Sequence, residues 1–179
     1  MWLFVALPAL ALIVLLWMAW TFERGAPWVP SPMNAVRSML NIAEVGPDDV
    51  VYDLGCGDGR MIVTAAKEYG ARAVGVEIDP LRYLWCQVRI ALMGLQDRVR
   101  VVRGDLFEQD LSDATVVTCY LLQSTNDELE EKLMQELPPN ARVVSSAFTF
   151  SGMHLVFENK PAKLYLYHPQ ESELQNDLR

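Results

Sequence analysis

The 179-residue chain predicts an α/β fold, a mostly parallel sheet with helices on both faces, and three observations predict it. Short β-branched runs alternate with helical patterns from residue 50 onward, the rhythm of βαβ units. The first run, Val50-Val51-Tyr52-Asp53-Leu54, enters a glycine turn, Gly55-Cys56-Gly57-Asp58-Gly59, that opens a helix. Acids close the next two runs, at Glu77 and Asp105, where an open parallel sheet gathers its ligand.

In chain order, the first signal is a span without charge, residues 2–22. At about 1.5 Å rise per residue it suffices to cross a hydrocarbon core of roughly 30 Å. Trp2, Trp17, Trp20 and Trp28 sit toward its ends, as an interfacial belt requires, and Pro8 kinks such a helix without forbidding it. A cleaved signal peptide fits less well, because no basic region precedes the span and no small-residue site closes it. Arg24 and Arg37 follow the span and no basic residue precedes it. The expectation is a single-pass membrane anchor over 1–24, with the rest of the chain facing the cytoplasm.

Residues 25–33 form a proline-rich linker carrying Pro27, Pro30 and Pro32. Either it is a plain spacer or it folds over the site as a lid. Ser31 is placed to cap a helix with Pro32 at its first position and Val36, Met39, Leu40 and Ala43 on one face. A single domain is expected over 34–179.

Within it, strands are expected over 50–54, 73–77, 99–103, 115–122 and 142–147, and helices over 60–69, 80–93 and 126–137. The second of these helices carries one apolar stripe, Leu81, Leu84, Trp85, Val88 and Leu92. The third turns Leu129, Leu133 and Leu137 inward and pairs Glu128 with Lys132 outward. Residues 154–158 and 163–168, joined by Asn159-Lys160-Pro161-Ala162, read as a hairpin that ends the sheet with an antiparallel strand.

Composition narrows the function. Hydrophobic residues make up 51% of the chain, enough for a full core, and the net charge of −8 argues against a nucleic-acid partner. Cys56, Cys86 and Cys119 lack metal-ligand spacing and read as buried free thiols, so no metal is expected.

The glycine loop carries the chemistry. Glycines at every second position let a ligand approach the backbone closely. Asp53 and Asp58 beside them would repel a phosphate and attract a cation; the sulfonium and amino group of S-adenosylmethionine meet that description. A dinucleotide fingerprint competes, but its third glycine is spaced G-x-G-x-x-G, whereas here Gly59 comes one position early and Arg60 stands in its place. Glu77 lies about twenty residues beyond the loop, the spacing at which a carboxylate reaches ribose hydroxyls. Asp79 precedes Pro80 and reads as a helix cap, and Asp105 can accept from the exocyclic amine of adenine.

Asp53-Leu-Gly-Cys-Gly-Asp-Gly-Arg60, Gly75-Val-Glu-Ile-Asp-Pro80 and Gly104-Asp-Leu-Phe107 resemble the successive motifs of class I S-adenosylmethionine-dependent methyltransferases. Within that class the chain looks similar to the protein-lysine methyltransferases of the ATP synthase c subunit and the adenine nucleotide translocase, with their prokaryotic relatives. The shared features are the apolar amino-terminal segment, Trp28-Val29-Pro30, Asp58-Gly59-Arg60, Leu84-Trp85 and Leu129-Glu-Glu-Lys-Leu133 before Ala141-Arg-Val-Val144. The resemblance implies a Rossmann-like sheet and S-adenosylmethionine as cofactor. It implies that Asp53, Gly55, Cys56, Gly57 and Asp58 surround the methionine part, that Glu77 holds the ribose, and that Ile78, Asp105 and Leu106 hold the adenine.

Tyr120 would stand near the transferring methyl and take a proton from a lysine; a core aromatic is the other reading of it. Arg60 is expected to pair at its helix start, and His154 and His168 to be structural or exposed. Tyr120-Leu121-Leu122-Gln123 and Phe148-Thr149-Phe150 depart from the family pattern, both on the substrate side. The expected function is membrane-tethered methylation of a lysine in a membrane protein. Methylation of a lipid or quinone-like molecule, and a cofactor-binding adaptor without activity, stand beside it.

Overall fold

In the computed structural model, residues 2, 5–9, 12 and 29–169 are described. The apolar span therefore lies mostly outside the described residues, among which no helix is long and apolar enough to cross a membrane.

The domain runs α1 (Met33–Ile42), β1 (Val50–Leu54), α2 (Arg60–Tyr69), β2 (Arg72–Glu77), α3 (Pro80–Leu92), β3 (Val99–Arg103), β4 (Val116–Cys119), α4 (Gln123–Glu136), β5 (Arg142–Ser146), β6 (His154–Asn159) and β7 (Leu164–His168). The strands form one seven-stranded sheet in the order β3-β2-β1-β4-β5-β7-β6. The first five pair in parallel, and β7 runs antiparallel between β5 and β6. This is the Rossmann-like arrangement with an antiparallel end that the alternation predicts.

β1 is buried at every position, as befits a central strand covered on both faces. Its side chains alternate between two cores. Val51 joins Val36, Leu40, Ile62, Ala65 and Ile90 under α1, α2 and α3. Tyr52 and Leu54 join Leu129, Leu133 and Tyr167 under α4. The inward leucines of the last long helix are therefore where their spacing puts them.

Several local expectations give way. Ser31 does not cap α1: Pro32 holds the cap position with no side-chain bond, and the Ser31 carbonyl accepts from the Arg60 guanidinium instead. β4 stops at Cys119 and α4 begins at Gln123, earlier than Asn126 suggests. Asn126, expected as the first residue of that helix, is buried inside it, where its amide donates to Ser145 Oγ. β5 ends at Ser146 because Ala147 turns left-handed, with φ of 70°. Lys132 pairs with Glu136 rather than with Glu128. The stripe on α3 exists but faces solvent, and the helix buries Cys86 and Ile90 instead. Asp79 does cap α3, accepting from the backbone N–H of Leu81 and Arg82 at 2.9 Å each.

Candidate active site

Strand order reverses between β1 and β4, so the loops after these strands diverge and leave a crevice at the carboxyl edge of the sheet. Asp53, Gly55, Cys56, Gly57, Asp58, Glu77, Ile78, Asp105, Leu106 and Tyr120 all border this one cleft. The empty space between these residues, with the open solvent at its mouth included, is about 980 Å³.

The loop's shape comes from its glycines. Gly55, Gly57 and Gly59 have φ of 80°, 57° and 75°, a region that costs any residue with a Cβ. Backbone conformation thus demands these glycines before any ligand arrives. Gly75 in β2 is needed for a different reason: a Cβ there would lie 2.6 Å from Cys56 Sγ, so the strand and the loop touch backbone to side chain.

Each acid has a distinct local job. Asp53, the last residue but one of β1, lies opposite Thr118 in β4, whose hydroxyl donates to Asp53 Oδ1 at 2.8 Å. Burial pushes the Asp53 carboxyl up to about 7; the Thr118 bond opposes that shift, and the charges of Glu77 and Asp58 add to it. Glu77 Oε2 accepts from the Gly57 N–H and Oε1 from the Asp79 N–H, both at 2.8 Å, so one carboxylate ties loop, strand and cap together. Burial raises the Glu77 carboxyl too, against these bonds and the charge of Arg82.

Asp58 borders the cleft, but its carboxylate is engaged elsewhere. Arg60 forks onto it with two bonds of 2.8 Å, and Arg89 reaches it from α3 at 3.2 Å. Burial works to raise this carboxyl, yet Arg60 and Arg89 together outweigh burial and hold it below the usual carboxylate range. Asp58 is thus paired with two arginines, and Asp53, Glu77 and Asp105 are the other acids on the cleft. Arg60 pairs at its helix start, as expected.

Asp105 is exposed two residues past the end of β3 and accepts from the Phe107 N–H at 3.0 Å in a tight turn. Ile78 and Leu106 are half-buried and supply apolar wall. Tyr120 lies one residue past β4, 38% exposed, so it is not a core aromatic. Neither His154 nor His168 borders the cleft. All three cysteines are buried and free. Hydrogen bonding to Cys86, burial and the nearby Asp53 and Glu77 carboxylates hold the Cys56 thiol well above its ordinary range.

Sequence reasoning missed Thr118, Arg82 and Arg89, and placed Gly75 in a motif without its packing role. A lone threonine in the apolar run Val116-Val117-Thr118-Cys119 was the available signal for the first. Val29, Pro30 and Ser31 of the linker also border the cleft, and the Ser31 carbonyl is held by Arg60. The Gln123 amide donates to the Thr149 carbonyl at 2.9 Å and accepts from the Thr149 N–H at 3.2 Å. The two segments that depart from the family pattern are thus bound to each other.

A buried carboxyl poised near 7 beside a left-handed glycine loop fits a cationic ligand such as S-adenosylmethionine, since a positive charge would restore its ionisation. Fold, switch-point cleft and acid set define an S-adenosylmethionine-dependent methyltransferase of class I type.

Comparison with known proteins refines that class. Residues 53–156 match the family described as ANTKMT methyltransferase domain. A protein-lysine N-methyltransferase of Saccharolobus islandicus (strain REY15A) is 50% identical over 133 residues, 74% of this chain and 83% of that protein. The adenine nucleotide translocase lysine N-methyltransferase of Mus musculus is 37% identical over 123 residues, 68% of this chain and 53% of that protein. A crystal structure described as an RNA methyltransferase from Salinibacter ruber, in complex with S-adenosyl-L-homocysteine, superposes with a TM-score of 0.74. It is 41% identical, over 80% of this chain and 95% of that one. The chain belongs to the family of the ANTKMT methyltransferase domain and is an S-adenosylmethionine-dependent enzyme of the protein-lysine N-methyltransferase type. It spans about half the length of the mouse relative.

Proposed function

We propose that this chain, anchored in a membrane by residues 2–22 with its domain facing the cytoplasm, N-methylates a lysine of a membrane protein. The observation that carries the reading is the placement of Tyr120 on the same cleft as Asp53 and the glycine loop. Asp53 and the loop would hold the methionine part of the cofactor, Glu77 the ribose, and Ile78, Asp105 and Leu106 the adenine. When bound, S-adenosylmethionine supplies a methyl group already activated for displacement. The chain's own residues then have to position the acceptor and exclude water. Tyr120 accepts a hydrogen bond from the lysine amine and relays the proton that the amine releases, passing its own hydroxyl proton on to solvent.

Two further observations support a membrane-protein acceptor. The mouse relative is named for an adenine nucleotide translocase, and the chain carries an uncharged span long enough to reach across a bilayer. The Salinibacter structure is described by an RNA substrate, but a net charge of −8 disfavours a polyanion here.

Radiolabelled donor incubated with the full chain and membranes tests the reading. Label is expected on membrane-protein lysine and absent with Asp53→Ala. Label on RNA, or in the lipid extract, contradicts the proposed acceptor, and binding without any transfer contradicts enzymatic activity.

A further inference from the structure

The outward face of α3 is made of Leu81, Leu84, Trp85, Val88 and Leu92, continued by Met93, and every one of them is exposed. Trp85 is 58% exposed and Leu92 83%, values that exclude a role in this domain's core. Between Pro80 and Gln96 the only charged side chains are Arg82 and Arg89. Both turn inward, Arg82 to Glu77 and Asp79 and Arg89 to Asp58. A chain of net charge −8 therefore carries one helix face with neither an acid nor a free base on it. A contiguous apolar face of this kind marks a contact surface.

Its position says what covers it. Ser31 is held by Arg60, Arg60 by Asp58, and Asp58 by Arg89 of α3, so the linker enters the domain beside this helix. Val29 and Arg82 border the same cleft. Only six residues, 23–28, separate the end of the apolar span from Val29. Fully extended, they reach about 20 Å, so the domain cannot leave the vicinity of the bilayer once the span is inserted. We infer that the outward face of α3 rests in the membrane interface, with Trp85 at headgroup depth, and that it holds the cleft mouth toward the bilayer surface. This rests on the anchored reading given above.

The face lacks the basic rim by which free amphipathic helices seek anionic lipid. It depends instead on the tether, which keeps it at high local concentration, and its contact is insensitive to lipid charge.

The test uses the full chain in phosphatidylcholine vesicles, with and without phosphatidylglycerol. The native thiols are buried, so a single added cysteine carries a fluorophore selectively. Val88→Cys and Leu92→Cys report on the face, and Ser112→Cys, in the exposed turn before β4, serves as reference. Nitroxide-bearing lipid is expected to quench the labels at 88 and 92 at least threefold more than the label at 112, with about equal quenching at both lipid compositions. Equal quenching at all three positions overturns the inference. So does shielding of 88 and 92 from aqueous iodide without quenching by lipid, since a protein surface then covers them. Flotation of the unlabelled chain with vesicles is scored separately. A chain that floats with unquenched labels overturns the α3 contact alone, whereas a chain that stays in solution overturns the anchor.

Discussion

Glu77 Oε2 accepts the Gly57 N–H at 2.8 Å, so the end of β2 and the glycine loop after β1 form one unit. The carboxylate expected to hold ribose also fixes the loop that would hold the methionine part, because its other oxygen takes the Asp79 N–H. Glu77→Gln leaves one acceptor oxygen and turns an amide N–H toward a backbone N–H. Cofactor affinity is expected to fall ten- to a hundredfold, with roughly 1–3 kcal/mol of stability lost. Calorimetric titration beside chemical denaturation checks both; an unchanged affinity would show that the loop holds its shape without Glu77.

Asp53 makes binding of the cofactor depend on pH. Its carboxyl sits at about 7 in the cleft, and a cationic ligand favours the ionised form. Affinity is therefore expected to rise as pH climbs through 7, with release of about half a proton per binding event at that pH. For the ligand-free chain the sign reverses. A folded pKa raised above the unfolded one contributes stability that is complete below the ordinary carboxylate range and is lost as pH rises through about 7. Asp53→Asn should thus stabilise the empty domain above pH 7 and remove the pH-dependent part of binding. Thr118→Val, which deletes the bond favouring the ionised form, should move the dependence to higher pH. A wild-type profile matching that of Asp53→Asn between pH 6 and 8 would refute this, with the pH range chosen to bracket a carboxyl near about 7.

Gly75 lies where a methyl group cannot. A Cβ would meet Cys56 Sγ at 2.6 Å, Ile62 Cδ1 at 2.8 Å and Cys56 Cβ at 2.9 Å. Gly75→Ala is expected to cost roughly 1–3 kcal/mol of stability and to displace the loop. Adding Cys56→Ala removes the nearest clash and should restore part of both. Thermal denaturation of the single and double variants measures it, and a fully stable Gly75→Ala would contradict the close packing.

Tyr120→Phe keeps the ring and removes the hydroxyl. The expected result is a kcat lowered on the order of a hundredfold or more with cofactor affinity unchanged. A loss confined to cofactor binding would make Tyr120 part of the pocket wall and not of the proton path.

Much of the fold was legible because its punctuation is local. Gly59 and Gly70 bracket α2 in left-handed conformations, and Asp79-Pro80 starts α3. The acids of the site were legible as a pattern at strand ends. Their partners were not, since Thr118 meets Asp53 only through the β1–β4 register and Arg89 meets Asp58 across thirty-one residues. The stripe on α3 was visible as helical periodicity, but periodicity reports an apolar face without saying whether protein or another phase covers it. Asn126 shows the opposite failure: expected as the first residue of its helix, it is buried in the second turn of α4, beside Ser145.

The most direct measurement is mass spectrometry of the membrane proteome from cells with this chain, with its Tyr120→Phe variant, and without it. A lysine in a membrane protein that is methylated with the chain, largely unmethylated with Tyr120→Phe and unmethylated without the chain is the predicted result. A membrane proteome whose lysine methylation is the same in all three would contradict the account.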